Sequence, residues 1–471
     1  MFKNILNKLI ILFIFTYDYF LIIELYKKYK KITIIFPIQT NLGVIMAGFK
    51  ALKGQGHWPT LFAAFLYFDF SFMVWTMLGP LSTEIAESLV QHGIVISASA
   101  KATLLSIPIL SGALLRILLG FGVDKFGAKK TALMSQTVVI SVLFYAFFRG
   151  ENITYNELLV VALGLGFAGA SFAVALPQAG QWYPPKLQGI VLGIAGAGNI
   201  GVVIDFLFAP KIAELWGWSA VFLVGGVLST IIFITYLFMA KDAPKEVYRP
   251  RPKKLKDYAK LLKDKDTWWF NLFYAISFGG FVGFAGYMKV YLMNTYQADM
   301  SAFGIEWFNE PNVKVIAGYF GALTIFAGAV LRPVGGAVAD KLGGIKSLYF
   351  FFGAVAILAI INATVTLPFG VAILVLFLIM ANLGMANGAV FQLVPQRFGK
   401  DIGIMTGIIG AAGGLGGTAL IKTLGWSKEA FDGYSAGFMI FAGVVLVAII
   451  GISLVKTRWR TTWGLQAGGR I

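Results

Sequence analysis

Twelve stretches of about 20 apolar residues, separated by short polar loops, leave this chain few folds to choose from. They run roughly over 59–80, 101–121, 131–149, 157–180, 189–213, 219–240, 268–293, 314–338, 347–367, 369–392, 402–422 and 434–455. A helix of about 20 residues crosses a hydrocarbon core about 30 Å thick. Inside that core the backbone groups find partners only within their own segment, so every span is predicted helical. Only 13% of the residues are charged and mean hydropathy is +0.78, whereas a soluble domain carries about 25% charged residues. The expectation is an all-α polytopic membrane protein.

The formal net charge of +17 would suit nucleic acid if it were gathered on one surface. Its distribution says otherwise. With the first span entering from the cytoplasm, 24 Lys and Arg residues from position 45 onward fall on the cytoplasmic side and six in the opposite loops. This is the positive-inside bias, and it places both ends of the twelve-helix core in the cytoplasm, where anionic lipid favours the basic segments. Nucleic acid is not an expected partner. The absence of cysteine excludes disulfides, thiol nucleophiles and zinc-finger or iron–sulfur ligation. His57 and His92 have no metal-ligand partner at useful spacing. No metal, no cofactor and no enzymatic activity are expected.

Residues 1–45 form a hydrophobic extension rich in Ile, Phe, Lys, Tyr, Asn and Leu and nearly free of Ala and Gly. It reads as an extra membrane helix over 5–25 or as a mis-assigned start, with Met46 opening the native chain. A signal peptide fits less well, because no cleavage site follows the apolar run and Asp18 interrupts it. A six-helix bundle is expected over 46–240, a basic, proline-bearing cytoplasmic linker over 241–265, a second bundle over 266–456 and a tail over 457–471.

The two bundles repeat one another. LLRILLGFGVDKFGAKK (114–130) and VLRPVGGAVADKLGGIK (330–346) match at an offset of 216 residues. Arg116 aligns with Arg332, Asp124 with Asp340, Gly127 with Gly343 and Lys130 with Lys346. In each loop the glycines permit a tight turn, and Asp124 or Asp340 can cap a helix or pair with a base as a gate closes. Each arginine lies eight residues before its loop aspartate, about 12 Å into the membrane. A charge at that depth costs about 2.5–3.5 kcal/mol or more, so two at matched positions point to a shared anion site. A buried acid is the other available partner, and Asp69 and Asp205 lie within spans one and five. Internal duplication with a site at the repeat interface is a transporter signature.

Two glycine-dense helices add a second repeat. GIVLGIAGAGNIG (189–201) carries Gly189, Gly193, Gly196, Gly198 and Gly201, and GIMTGIIGAAGGLGG (403–417) carries Gly403, Gly407, Gly410 and Gly414 among its seven. Small residues at this spacing let helices approach and slide. Asn199, a polar amide in the first of them, needs a cavity or a partner.

Together these features resemble the nitrate/nitrite porter (NarK-type) family of the major facilitator superfamily over residues 58–456. The resemblance implies twelve helices in two pseudo-symmetric six-helix bundles, working by alternating access in a prokaryotic inner membrane. It makes Arg116 and Arg332 the substrate-binding arginines and Asn199 the signature asparagine. Tyr274, Phe278 and Phe172 become substrate-site aromatics. A planar guanidinium fork suits the in-plane oxygens of nitrate or nitrite. Tyr274 and Phe278 are four residues apart and share a helix face. Asp69 or Asp205 could carry a proton for symport, and nitrate/nitrite exchange is nearly as well supported. Exchange of small organic anions and a non-transporting sensor are the rival readings. A monomer is expected.

Overall fold

The computed structural model describes residues 56–184, 191, 195, 199–244, 255–466 and 471. All of these belong to one compact unit, Gln55–Ile471. Residues 1–45, most of 185–198 and the linker residues 245–254 lie outside the described residues. Gly189, Gly193, Gly196 and Gly198 are therefore not placed. Among the described residues there is no strand, and eleven helices are long and apolar enough to cross a membrane. The fifth of the twelve expected spans is described without gaps only from Asn199 onward, with its helix over Gly201–Trp216.

The first half comprises α1 (Trp58–Thr76), a short α2 (Ser82–Gln91), α3 (Ala98–Phe126), α4 (Ala128–Arg149), α5 (Tyr155–Gly169), α6 (Phe172–Gly180), α7 (Gly201–Trp216) and α8 (Ser219–Met239). The second comprises α9 (Leu255–Leu262), α10 (Lys265–Phe303), α11 (Val313–Leu342), α12 (Gly344–Thr364), α13 (Phe369–Phe398), α14 (Ile402–Phe431) and α15 (Ser435–Thr461). Side chains cap the starts: Ser97 accepts from Ala100 N at 3.2 Å, and Thr154 with Glu157 forms a capping box. Two spans depart from expectation. The fourth, read as one helix over 157–180, breaks between α5 and α6 at Ala170 and Ser171. The seventh runs ten residues beyond its expected end at 293, with a non-helical residue at Tyr296.

The repeated loops fold alike. Gly127 (φ 88°) and Gly343 (φ 92°) both lie in the left-handed region that only glycine enters freely. The N–H of Gly127 closes on Val123 O, and that of Gly343 on Ala339 O. Thr131 and Ser347, again 216 residues apart, donate their hydroxyls to the carbonyls of Gly127 and Gly343 at 2.8 and 2.9 Å. Asp124 and Asp340 stand exposed at this end of the bundle.

Helices α11 and α13 approach to backbone contact. A Cβ on Gly384 would lie 2.1 Å from Gly328 O, and one on Gly388 would lie 2.2 Å from Arg332 O. Gly384→Ala should lower the unfolding temperature of the detergent-solubilised protein by several degrees, because backbone must yield. Gly353→Ala, which meets nothing within 4 Å, should not lower it. Equal behaviour of the two variants would contradict the contact.

The halves meet through α3 against α14 and α7 against α11, pairs that the duplication exchanges. Polar links between them gather at the end opposite the repeated loops. Lys289 donates to Pro80 O at 2.5 Å and to Glu84 at 2.6 and 2.8 Å. Lys314 pairs with Glu87, and Lys211 with Glu310 at 2.7 Å. Ser99 N donates to Glu429 at 2.6 Å, and Lys422 to Thr103 at 2.7 Å. The glycine stripe of α14 records the same gradient. A Cβ would meet Ala102 at 2.3 Å from Gly425, Ala113 at 2.6 Å from Gly414 and Arg116 at 3.2 Å from Gly410. From Gly407 it would meet nothing within 4 Å. Among the described residues the two helices thus part toward the repeated loops, and the interface between the halves is sealed at the opposite end.

Candidate functional site

Where α3 and α14 begin to part, Arg116 crosses between the halves. Its Nε donates to Gly169 O at 3.1 Å in α5, and its Nη1 donates to Gly410 O at 2.7 Å in α14. The glycine at 410 leaves that carbonyl open to approach. Three ring faces surround the guanidinium carbon: Trp75 at 5.4 Å, Phe172 at 5.5 Å and Phe278 at 5.4 Å. Trp75 is itself fixed by donating Nε1 to Pro108 O at 2.7 Å. Arg116 is only 2% exposed, yet its Nη2 has no partner. Such a buried donor of a charged group is expensive to leave unmade.

Arg332 is held differently. Half-buried on α11, it lies over the ring of Phe391 at 5.0 Å. It falls within electrostatic reach of both Arg116 and Tyr274. Tyr274 stacks on Phe278 at 5.1 Å with planes 9° apart, and Phe391 meets it edge-on at 5.3 Å. Gly413 accommodates both stacked rings, which would lie 2.8 Å from a Cβ there. The structure thus brings Arg116, Arg332, Tyr274, Phe172 and Phe278 into one central layer. One guanidinium is fixed by two carbonyls and the other rests on a ring.

Asn199 is buried just before Gly201, and its Oδ1 has no partner. Gly201 abuts span one, where a Cβ would come 2.3 Å from Asp69 O. The acids do not pair with the arginines. Among the described residues neither Arg116 nor Arg332 has an ion-pair partner, while Asp69 Oδ1 and Asp205 Oδ2 are buried without a hydrogen-bond partner. The alternative of a guanidinium neutralised by Asp69 or Asp205 is therefore corrected. Carbonyl oxygens and ring faces solvate Arg116 instead. Lys289 is fully buried against Glu84. His57 accepts from Thr60 N at 3.2 Å as the N-cap of α1.

Sequence reasoning missed Trp75 and Phe391 of this layer, and also two buried polar residues, Ser171 and Asn387. For the last two a signal existed. The offset of 216 extends to spans four and ten, aligning Ala170, Ser171, Ala173 and Val174 with Ala386, Asn387, Ala389 and Val390. Nothing distinguishes Trp75 or Phe391 among the 11 tryptophans and 42 phenylalanines.

Comparison with known proteins agrees with this architecture. The family model of the Major Facilitator Superfamily matches residues 60–421. A "Nitrite extrusion protein" of Bacillus subtilis (strain 168) is 30% identical over 80% of this chain and 89% of its own. A "Probable nitrate transporter NarT" of Staphylococcus carnosus (strain TM300) is 30% identical over 82% of this chain and 92% of its own. A "Probable nitrate/nitrite antiporter NarK1" of Thermus thermophilus is 27% identical over 76% and 82%. Among solved structures, a bacterial homolog of the human lysosomal transporter Spinster is similar at TM-score 0.62 and 16% identity, covering 84% of this chain and 96% of that one. That likeness speaks to fold. This chain is an integral membrane protein that belongs to the Major Facilitator Superfamily and, within it, to the NarK-type porter branch.

Proposed function

We propose that this protein carries nitrate, nitrite or both across a prokaryotic inner membrane by alternating access, binding the anion between Arg116 and Arg332. The observation that carries the reading is a central layer with two guanidiniums and, among the described residues, no carboxylate partner, in which Arg116 Nη2 is left unpaired. A planar anion with in-plane acceptor oxygens fits that unpaired donor and the stacked ring faces. The names of the relatives support the same cargo. The basic bias supports a cytoplasmic position for the repeated loops and both core termini, with the sealed end facing outward. Residues 46–240 and 266–456 act as the two rocking bundles, joined by the linker 241–265. Both arginines come from one chain, so a monomer suffices. Asn199 serves as a further polar contact from the glycine-dense helix, and the glycines of both helices as the sliding surfaces.

Two coupling modes rest on different observations. Asp69, buried with an unpartnered oxygen, and Asp205 are carboxyls available to carry a proton, which supports symport. Among the described residues no carboxyl pairs with either arginine of the layer, which supports exchange. Uptake of labelled nitrate and nitrite into proteoliposomes, with and without a pH gradient, tests both. Symport through Asp69 requires uptake to respond to the gradient and Asp69→Asn to remove that response while counterflow survives. Loss of both activities would mark Asp69 as structural. Uptake indifferent to pH and stimulated by nitrite on the opposite side would establish exchange. Competition by formate or oxalate as strong as that by nitrate would overturn the cargo assignment.

A further inference from the structure

Helices α3 and α14 pass each other in a steady register: a Cβ on Gly425 would meet Ala102, one on Gly414 Ala113 and one on Gly410 Arg116. Continued by one turn, that register brings Gly407 level with Leu119 and Gly120. There a Cβ on Gly407 would meet nothing within 4 Å among the described residues. A Cβ on Gly120 would meet only the hydroxyl of Tyr258, at 3.8 Å. Phe121, the next residue, packs its ring against that of Tyr258 at 5.2 Å, with planes 40° apart. Tyr258 belongs to α9, the helix of the linker between the halves. Where α14 has withdrawn from α3, the linker helix has taken its place.

That helix is fastened to the second half. The last carbonyls of a helix have no partner within it, and side chains of α10 take two of them here. Thr267 Oγ1 donates to Leu261 O at 2.8 Å, and Trp268 Nε1 donates to Leu262 O at 3.0 Å. Thr267 Oγ1 also lies 3.8 Å from Met405 Sδ of α14, and α9 packs against both α10 and α14. The C-terminal end of α9 is thus held by one half while Tyr258 rests on the other. Alternating access requires α3 and α14 to approach over the stretch that Tyr258 occupies. A close-packed interface has no room for an extra ring, so the phenol must first withdraw. We propose that α9 is a wedge: Tyr258 seated on Phe121 props the halves apart at the repeated-loop end, and that end closes only when the linker helix disengages. A contact shifts an equilibrium by what it contributes to one state over the other, and this one is made only while the end is parted. The linker therefore sets the balance of the two orientations as well as joining the bundles. The proposal rests on alternating access and is independent of which anion is carried.

The test reads the width of that end directly. Phe126 and Leu342 are exposed, lie beside the repeated loops and are matched by the 216-residue offset. Spin labels on Phe126→Cys and Leu342→Cys, in a chain without other cysteines, report their separation in liposomes by pulsed electron resonance. Tyr258→Ala should raise the ratio of short to long separations by about threefold or more, the worth of an aromatic pair. Tyr258→Phe, which keeps the ring, should leave the distribution as in the parent. An unchanged distribution in Tyr258→Ala would overturn the proposal, and so would a shift toward longer separations, which would make the helix a strap that draws the halves together. A tether gives the second measurement. Gly120→Cys and Tyr258→Cys, joined by a cleavable bifunctional thiol reagent, should lose at least about tenfold of nitrate uptake, because the closing step is blocked, and recover it when the tether is cut. Uptake undiminished with the tether in place would also overturn the wedge. A parent protein inert toward nitrate and nitrite would defeat the cargo reading and leave the distance measurement to decide this one.

Discussion

Arg116→Lys and Arg332→Lys should each abolish most anion uptake while leaving insertion and expression intact. Arg116 uses two nitrogens to bridge Gly169 of α5 and Gly410 of α14 and keeps Nη2 free. A lysine ammonium preserves the charge, but its donors radiate from one atom and cannot span both carbonyls and an anion. Hydrogen bonds to charged groups contribute about 1.5–3 kcal/mol each. Losing two of them predicts a fall of about 100-fold or more in kcat/KM for Arg116→Lys. Arg332 has the Phe391 ring in place of that carbonyl clamp, so its lysine variant should retain more residual uptake. Wild-type uptake in either variant would remove that residue from the site. A loss accompanied by failure to insert would be read as structural.

The second large effect should appear at the sealed end. Lys289 is wholly buried on α10 and meets both oxygens of Glu84 and the carbonyl of Pro80, all from the other half. Removing one partner of a buried ion pair typically costs about 3–5 kcal/mol. Here that loss falls on one end of the transport cycle, because the halves separate there when the carrier turns over. Lys289→Met should favour the conformation open at that end. The chain has no cysteine, so a single reporter thiol can be read cleanly. Ser106→Cys, buried on α3, should resist an impermeant maleimide in the parent and react at least about tenfold faster with Lys289→Met present. Equal labelling rates in the two backgrounds would show that the pair does not control closure.

Much of the fold was legible because lipid simplifies the code. Apolar length alone marks a span, and the 216-residue offset carried both arginines and both loop glycines to matched structural positions. Boundaries were less legible. Span seven continues past 293 because polar residues such as Asn294 and Gln297 remain compatible with helix beyond the apolar run. Span four breaks at Ala170 and Ser171 without a proline or charge at the break to announce it. The cross-half pairs were hidden for another reason. Glu84 and Lys289 are 205 residues apart, and no periodicity links a loop acid to a buried base across the duplication. Asn387 failed to stand out because MANGAVFQ reads as ordinary apolar helix. Only the folded chain shows it buried with an unpartnered amide oxygen.

That neither Arg116 nor Arg332 has an ion-pair partner among the described residues has an electrical consequence. Two positive charges occupy the central layer when the site is empty, and one monovalent anion leaves a net single charge. Any displacement of that layer along the membrane normal therefore moves more charge on the empty leg of the cycle than on the loaded leg. Each charge carried through the full field is worth about 2.3 kcal/mol per 100 mV, and a partial displacement scales accordingly. The membrane potential thus becomes a determinant of how fast the vacant carrier resets. A carrier that returns vacant should show a transient current that saturating anion suppresses. One that returns loaded with the exchanged anion carries the same charge both ways, and its turnover should be indifferent to voltage.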